Sequence, residues 1–415
     1  MLIFTCALMK TINAEIICTG SELLSGKLNL YVPLFHERLE PLGARIVREQ
    51  SCGDGLDEIA DCLAGALRRS HLVIACGGLG PTFDDLTRQA AAKVLGRRLV
   101  YSAEWERELR AAYGLSGRLP RNFSDQCLAL EGARLLHNAN GTACGQVLTR
   151  GGRMLALLPG PRREWEPMFA SGLEPEIKEF FRGAVPAARV KLRTAGLREP
   201  EAEALARPVM RRFPSLCFTI LAGPGTADFI ISGDDRRGLV RRAAAACRKA
   251  FGRSLYGEGD STLASAVGDA LRRAGSTLAG AESCTGGLVS QQLTEAAGSS
   301  DYFNGCAVTY SNAAKSSLLG VRKATLARHG AVSAECAAEM ARGARRVYAA
   351  DYAYSVTGVA GPGGGTPDKP VGTVWFGVAG PRGVRTMSRK FRGERANVRA
   401  SAAAFVLDEL RKAVK

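Results

Sequence analysis

Short apolar runs separated by amphipathic stretches set the rhythm of the first third of the chain. Glu15-Ile16-Ile17-Cys18 reads as a strand ending at Thr19-Gly20, 34–42 as a helix closed by Gly43, 45–47 as the next strand and 56–69 as a second helix. His71-Leu72-Val73-Ile74-Ala75-Cys76 is a near-continuous apolar strand, the pattern of a parallel sheet buried on both faces. Strands and helices alternating at this spacing predict a doubly wound α/β domain. One more strand, 154–158, is stopped by Pro159-Gly160-Pro161, and the domain is expected to cover 10–172.

The pattern changes after that. Strands at 190–194, 217–221 and 228–232 and helices at 199–213 and 239–251 predict a small α+β connecting domain, 187–255, with few polar residues of catalytic type. Between 260 and 415 the α/β pattern returns. A helix at 262–274 closes at Gly275, strands follow at 276–281, 353–357 and 371–378, and the last helix is expected over 396–412.

At 415 residues the chain has room for two or three domains. No apolar run approaches the roughly 18 residues that span a bilayer, and Leu2-Ile3-Phe4 is too short for a signal peptide, so a cytoplasmic protein is expected. Met9, followed by Lys10, is an alternative start to Met1. The twelve cysteines run from Cys6 to Cys336 with no CxxC, and the four histidines form no HExxH. A disulfide framework and a His-based zinc hydrolase are therefore not expected. The net charge of +16 comes from scattered doublets such as Arg68-Arg69, Arg97-Arg98, Arg211-Arg212 and Arg272-Arg273, without a basic block. Small phosphorylated ligands are the expected partners, and a specific nucleic-acid partner is not.

Two stretches carry the main candidate chemistry. Cys76-Gly77-Gly78-Leu79-Gly80-Pro81-Thr82-Phe83-Asp84-Asp85-Leu86-Thr87 follows a buried strand and precedes a helix expected near Asp85. Its glycines let backbone approach a ligand, and two adjacent carboxylates suit phosphate only if a divalent cation bridges them; the plain alternative is a tight turn capped by Asp84. Gly20-Ser21-Glu22 and Asn138-Ala139-Asn140-Gly141-Thr142-Ala143 are loops that would join it at the same sheet edge.

The second stretch, Ala281-Glu282-Ser283-Cys284-Thr285-Gly286-Gly287, lies at a strand-to-helix junction. Ser283 on such a turn can attack a carbonyl while helix-start N–H groups hold the oxyanion, a contribution of about 3 kcal/mol. Cys284 is a rival nucleophile, and a helix N-cap is the plain alternative for Ser283. Tyr310-Ser311-Asn312-Ala313-Ala314-Lys315 offers the base: with Asn312 as N-cap, Lys315 would feel the helix dipole, which depresses its pKa. Ser299 and Ser300 are either proton relays or caps. Gly358-Val359-Ala360-Gly361-Pro362-Gly363 reads as a ribose- or phosphate-cradling loop or a surface loop, and Arg395 and Arg399 as a phosphate clamp or solvated arginines.

Together these motifs resemble the CinA family over nearly the whole chain. Gly20-Ser21-Glu22-Leu23-Leu24-Ser25-Gly26, GGLGPTFDDLT and Leu158-Pro159-Gly160-Pro161 with Glu164 are similar to the family's molybdopterin-binding-like domain. AESCTGG, GSSDYF, TYSNAAK, HGAVS, TGVAGPGGG, KPVGTVWF and GERANVR follow one another as in its nicotinamide mononucleotide deamidase domain. The resemblance implies a pyridine-nucleotide salvage enzyme that hydrolyses the carboxamide of nicotinamide mononucleotide to nicotinate mononucleotide and ammonia without a cofactor. Ser283 would be the nucleophile, and Tyr310 and Lys315 would assist it. Thr285, Gly286, Gly287, Ser299, Ser300, Gly361, Gly363, Arg395 and Arg399 are expected to bind substrate. For the N-terminal domain it implies a metal-dependent ADP-ribose pyrophosphatase site of Glu22, Gly77, Gly78, Gly80, Asp84, Asp85, Thr87 and Thr142, with the metal on Asp84 and Asp85. The chain departs from the family there at Leu28-Asn29-Leu30-Tyr31, Cys144 and Arg162, positions expected to line the pocket. A homodimer supported by the connecting domain is implied as well. The competing reading is a non-catalytic nucleotide- or pterin-binding accessory protein linked to competence and DNA uptake.

Overall fold

The computed structural model describes residues 11–414 except positions 118, 187, 234 and 236; residues 1–10, with the alternative start Met9, lie outside the described residues. The chain divides into two compact α/β units, 1–187 and 188–415.

In the first unit, strands β1 (Ile12–Thr19), β2 (Ala44–Cys52), β3 (Leu72–Cys76), β4 (Arg134–Leu136), β5 (Gly145–Arg150) and β6 (Arg153–Leu158) form one sheet in the order β2-β1-β3-β6-β5-β4. The first four in that order run parallel, and the β4–β5–β6 meander is antiparallel. Every residue of β3 is buried, as its unbroken apolar run requires. Helices α1 (Tyr31–Leu39) and α4 (Arg162–Met168) cover one face, where Phe35 stacks on Trp165 at 4.3 Å above Ile16 and Ile74. Helices α2 (Leu56–Arg69) and α3 (Thr87–Leu95) cover the other, packing Ile59, Leu63 and Ala90 on Ile17 and Val73. The doubly wound expectation holds. The helix expected near Asp85 begins only at Thr87, because the carboxylates of Asp84 and Asp85 turn back onto Thr82 and hold a loop first.

The second unit opens with β7 (Ala188–Ala195), α5 (Glu199–Arg212), β8 (Cys217–Gly223), β9 (Thr226–Gly233), α6 (Leu239–Phe251) and β10 (Leu255–Glu258). These strands make an antiparallel sheet, β8-β9-β7-β10, with both helices packed over Phe229 and Ile231. This module shares its compact unit with the segment that follows: α7 (Leu263–Ala274), β11 (Leu278–Glu282), α8 (Leu288–Thr294), β12 (Phe303–Val308), α9 (Asn312–Leu319), α10 (Ala334–Val347), β13 (Tyr352–Gly358), β14 (Thr373–Gly380), β15 (Gly383–Lys390) and α11 (Arg395–Ala413). The five-stranded sheet runs β12-β11-β13-β14-β15, parallel from β12 to β13 and antiparallel beyond. No sequence pattern predicts strand β15. It is a charged edge strand, Gly383-Val384-Arg385-Thr386-Met387-Ser388-Arg389-Lys390, and owes its conformation to pairing with β14 rather than to apolar alternation.

This topology decides which loops can meet. Ser283 follows β11, Thr309 and Tyr310 follow β12, and the 358–365 loop follows β13, so all three leave the carboxyl edge of the parallel strands, where open α/β sheets bind ligands.

Candidate functional site

The nucleophile turn follows from local backbone demands. After β11 the chain passes through Gly286 at φ +59° and Gly287 at φ +93°, left-handed conformations that a side chain at either position would strain. Ser283 is thereby held at the sheet edge with 9% of its surface exposed. Lys315 Nζ reaches it at 3.0 Å, across 32 residues of sequence, and lies 2.8 Å from the Thr309 carbonyl and 3.4 Å from that of Tyr310. Lys315 is 1% exposed, and no carboxylate forms an ion pair with it among the described residues. Burial pushes its pKa below the ordinary value of 10.5. The helix dipole predicts a depression of the same sign, but desolvation is the leading cause. Ser311 rather than Asn312 caps the helix, accepting from the Ala314 N–H at 3.1 Å.

Two carbonyls can only accept hydrogen bonds, so in its neutral form Lys315 would give them its two N–H bonds. Its lone pair would then face the Ser283 hydroxyl. The adjacent Cys284 is a poor rival: it is buried among Val289, Val398 and Ala402, and burial pushes its thiol up to about 11.

A residue to which the motifs assign no role organises the turn. Glu282, fully buried at the end of β11, accepts from the N–H groups of Gly287 at 2.9 Å, Val289 at 3.3 Å and Ser290 at 2.9 Å. It also accepts from the Ser290 hydroxyl and, at 2.9 Å, from the Tyr354 hydroxyl. The Tyr354 ring lies against Gly280, where a Cβ would come within 2.5 Å of it. The helix-start N–H groups expected to hold an oxyanion, that of Gly287 included, are therefore already taken. The Gly286 N–H bonds the Ser283 carbonyl, which leaves those of Cys284 and Thr285 without a partner among the described residues. The sequence signal is an acid closing an otherwise small, apolar strand, Leu278-Ala279-Gly280-Ala281-Glu282. In Glu282→Gln an amide NH₂ would face these donors. At about 2 kcal/mol for the lost charged hydrogen bonds, scanning calorimetry is expected to show Tm lower by about 4–8 °C.

The other predicted residues divide. Arg395 donates to the Gly361 carbonyl at 2.7 Å and to the Tyr310 hydroxyl at 2.9 Å, and Arg399, one turn along α11, donates to the Thr285 carbonyl at 2.7 Å. Thr285, Gly286, Gly361, Arg395 and Arg399 thus surround the Ser283–Lys315 pair. Gly361, at φ +86°, has Val371 within 2.6 Å of where a Cβ would lie, whereas Gly363 borders open space. Tyr310 is 63% exposed, and its phenol bonds Arg395, not Ser283 or Lys315. Ser299 and Ser300 do not join the group. They precede β12 and sit by Arg272 at the end of α7, on the opposite sheet edge, about 17 Å away along five strand residues.

In the first unit a 480 Å³ cavity lies at the carboxyl edge of β1 and β3. Glu22, Gly77, Gly78, Gly80, Asp84, Asp85 and Thr142 line it. Thr87 does not: it is fully buried, donates to the Gly77 carbonyl at 2.9 Å and props the loop from behind. Of the sequence departures only Tyr31 lines the cavity. Cys144 is buried beside Trp105 and Cys127, and Arg162 pairs with Glu166 at 2.8 Å. The Thr82 hydroxyl donates to Asp84 at 2.5 Å and also to Asp85. Among the described residues no third Asp, Glu, His or Cys completes a metal cage. Five carboxylates line the cavity, Glu22, Asp54, Asp84, Asp85 and Glu164, and the adjacent pair Asp84 and Asp85 fits a magnesium-type ion that would take its remaining ligands from phosphate and water, not a closed structural site.

Fold and site define a two-unit α/β protein with a molybdopterin-binding-like first unit and a buried Ser–Lys pair in the second. Residues 15–179 match the family described as probable molybdopterin binding domain, and 260–414 match the CinA C-terminal domain. A CinA-like protein of Thermotoga neapolitana is 36% identical over 407 residues, 97% of this chain and 98% of its own. One of Syntrophomonas wolfei is 36% identical over 415 residues, covering 98% and 99%. The crystal structure of competence/damage inducible protein CihA from Agrobacterium tumefaciens is 41% identical, covers 36% of this chain and 91% of its own, and superposes with a TM-score of 0.35. The chain belongs to the CinA family.

Proposed function

We propose that the second unit is an amidohydrolase acting on the carboxamide of nicotinamide mononucleotide. The observation that carries this reading is the buried lysine at 3.0 Å from a serine hydroxyl, without a counter-ion among the described residues. An unpaired buried ammonium is costly, so the neutral form, a base, is favoured. Ser283 Oγ attacks the amide carbon as its proton passes to Lys315 Nζ, and the N–H groups of Cys284 and Thr285 take the oxyanion. The C–N bond breaks, ammonia leaves with the proton from Lys315, and a Ser283 ester remains. Water then attacks that ester, again giving its proton to Lys315; the acid departs and Ser283 regains its hydrogen. Arg395 and Arg399 supply N–H groups for the ribose phosphate, and Tyr310 holds Arg395 at the mouth. The purified chain should release ammonia from nicotinamide mononucleotide. A folded protein that binds the nucleotide and never turns it over would favour the accessory role instead.

A second activity is favoured by the acid-lined cavity of the first unit, where glycine backbone adjoins Asp84 and Asp85. We propose that it takes the pyrophosphate of ADP-ribose together with a divalent cation, which would supply the charge neutralisation these carboxylates demand. AMP released only when magnesium or manganese is added supports this; binding of a pterin without turnover opposes it.

A further inference from the structure

The chain's charge is divided unevenly. Residues 1–187 carry 22 Lys and Arg against 21 Asp and Glu, whereas 188–415 carry 34 against 19. Nearly all of the net +16 therefore belongs to the second unit, and part of it gathers where the Ser–Lys chemistry is not. Because β14 runs antiparallel to β13, Ala379 pairs with Ala353, and the Gly380–Gly383 turn lies at the sheet edge opposite Ser283.

Two grooves flank that turn and share Gly380, Gly383 and Val384. One, of 860 Å³, is lined by Arg253, Tyr352, Arg382, Arg385, Glu409 and Lys412. The other, of 410 Å³, is lined by Arg342, Arg345 and Arg346 and no acid. Seven cations thus face one carboxylate, drawn from four separate chain segments.

Some of them serve the fold. Arg345 and Arg346, in the last turn of α10, offset the helix dipole and bond the carbonyls of Ala350, Gly380 and Leu319. Arg385 and Lys412 both bond Glu409. Arg253, Arg342 and Arg382 are different: all three are exposed, and none pairs with a carboxylate among the described residues.

A small anion site needs donors that converge under fixed geometry, and here the three guanidinium groups come from separate elements and line two grooves on either side of one turn. That arrangement suits a linear polyanion held by charge density. One half-buried ring, Tyr352, is too few for a stacking platform, so the mode is phosphate contact without base reading.

We propose that this far edge of the second unit binds the phosphate backbone of a nucleic acid independently of its sequence. Such binding is compatible with the absence of any basic block in the sequence, since the cations meet only in three dimensions.

The test is fluorescence anisotropy with a labelled mixed-sequence single strand of about 20 nucleotides, titrated at increasing salt. In the full chain, Arg253→Gln, Arg342→Gln and Arg382→Gln combined should reduce the slope of log affinity against log salt by about 2, at roughly 0.7 for each phosphate that is no longer neutralised. Turnover at Ser283, on the opposite edge, should not change. Arg211→Gln, Arg212→Gln and Lys249→Gln remove the same charge from the module helices and should leave the slope near that of the parent. Equal weakening in both triple variants would show diffuse charge and overturn the site. So would a parent with no salt-dependent binding, or displacement of the strand by pyrophosphate at equal phosphate concentration. Binding of inorganic polyphosphate by a protein that ignores the oligonucleotide would overturn the nucleic-acid assignment.

Discussion

Ser283→Ala is expected to reduce ammonia release from nicotinamide mononucleotide by about 10⁴-fold or more, with nucleotide affinity little changed. In the proposed mechanism the serine oxygen forms and later breaks the only covalent bond to substrate, and no neighbour can replace it. Cys284 cannot, because its side chain packs in the core and a thiol pushed up to about 11 is almost entirely protonated at neutral pH. Cys284→Ala should therefore keep most of the turnover, which separates the two candidate nucleophiles in one steady-state comparison. Substantial activity in Ser283→Ala would remove the serine from the mechanism.

Lys315→Met should abolish turnover to a similar extent, and it should remove one pH dependence of stability. Both effects come from one cause. The folded protein holds Lys315 where burial lowers its pKa, so between that depressed value and the ordinary 10.5 the unfolded chain binds the extra proton. Stability then increases with pH through this window, and below it the full penalty of a buried ammonium is present. Methionine removes that penalty but leaves the Thr309 and Tyr310 carbonyls without the N–H groups of Lys315, so the expected change is a flatter dependence of stability on pH through this window, read by chemical denaturation at several pH values. The same depression sets the direction of the rate profile. Activity should climb as pH rises through the folded-state pKa of Lys315, as the protonated lysine becomes a base, and then level off. A turnover profile flat from acid to alkaline pH would contradict the neutral-lysine base.

Much of this is legible in the sequence. The apolar run ending at Cys76 and the alternation around it predict the first unit's parallel sheet because strand burial is written into consecutive side chains. The family assignment is legible for a related reason: several short motifs in fixed order constrain one another far more than any single one. Other features are not legible. Nothing local marks β15, whose charged residues pair only because β14 lies beside them. Thr87 lies within a glycine-rich motif yet faces inward, and neither Cys144, just before β5, nor Arg162, the first residue of α4, lines the cavity.

The chain's linear pattern determined the α/β class of the first and last thirds of the chain and the strand-to-helix turn on which Ser283 stands. Each depends on residues within one strand, turn or helix, where backbone preference and side-chain period act over a few positions. Only the tertiary structure decided how those pieces work together. It brings Lys315 to Ser283 across 32 residues and buries it, which is what lowers its pKa. It fills the first-turn N–H groups of α8 with Glu282, sends Ser299 and Ser300 to the far edge and collects arginines from distant segments around the Gly380 turn. Desolvation, donor occupancy and charge density depend on what surrounds a group in space, and sequence neighbours supply only a small part of that surrounding.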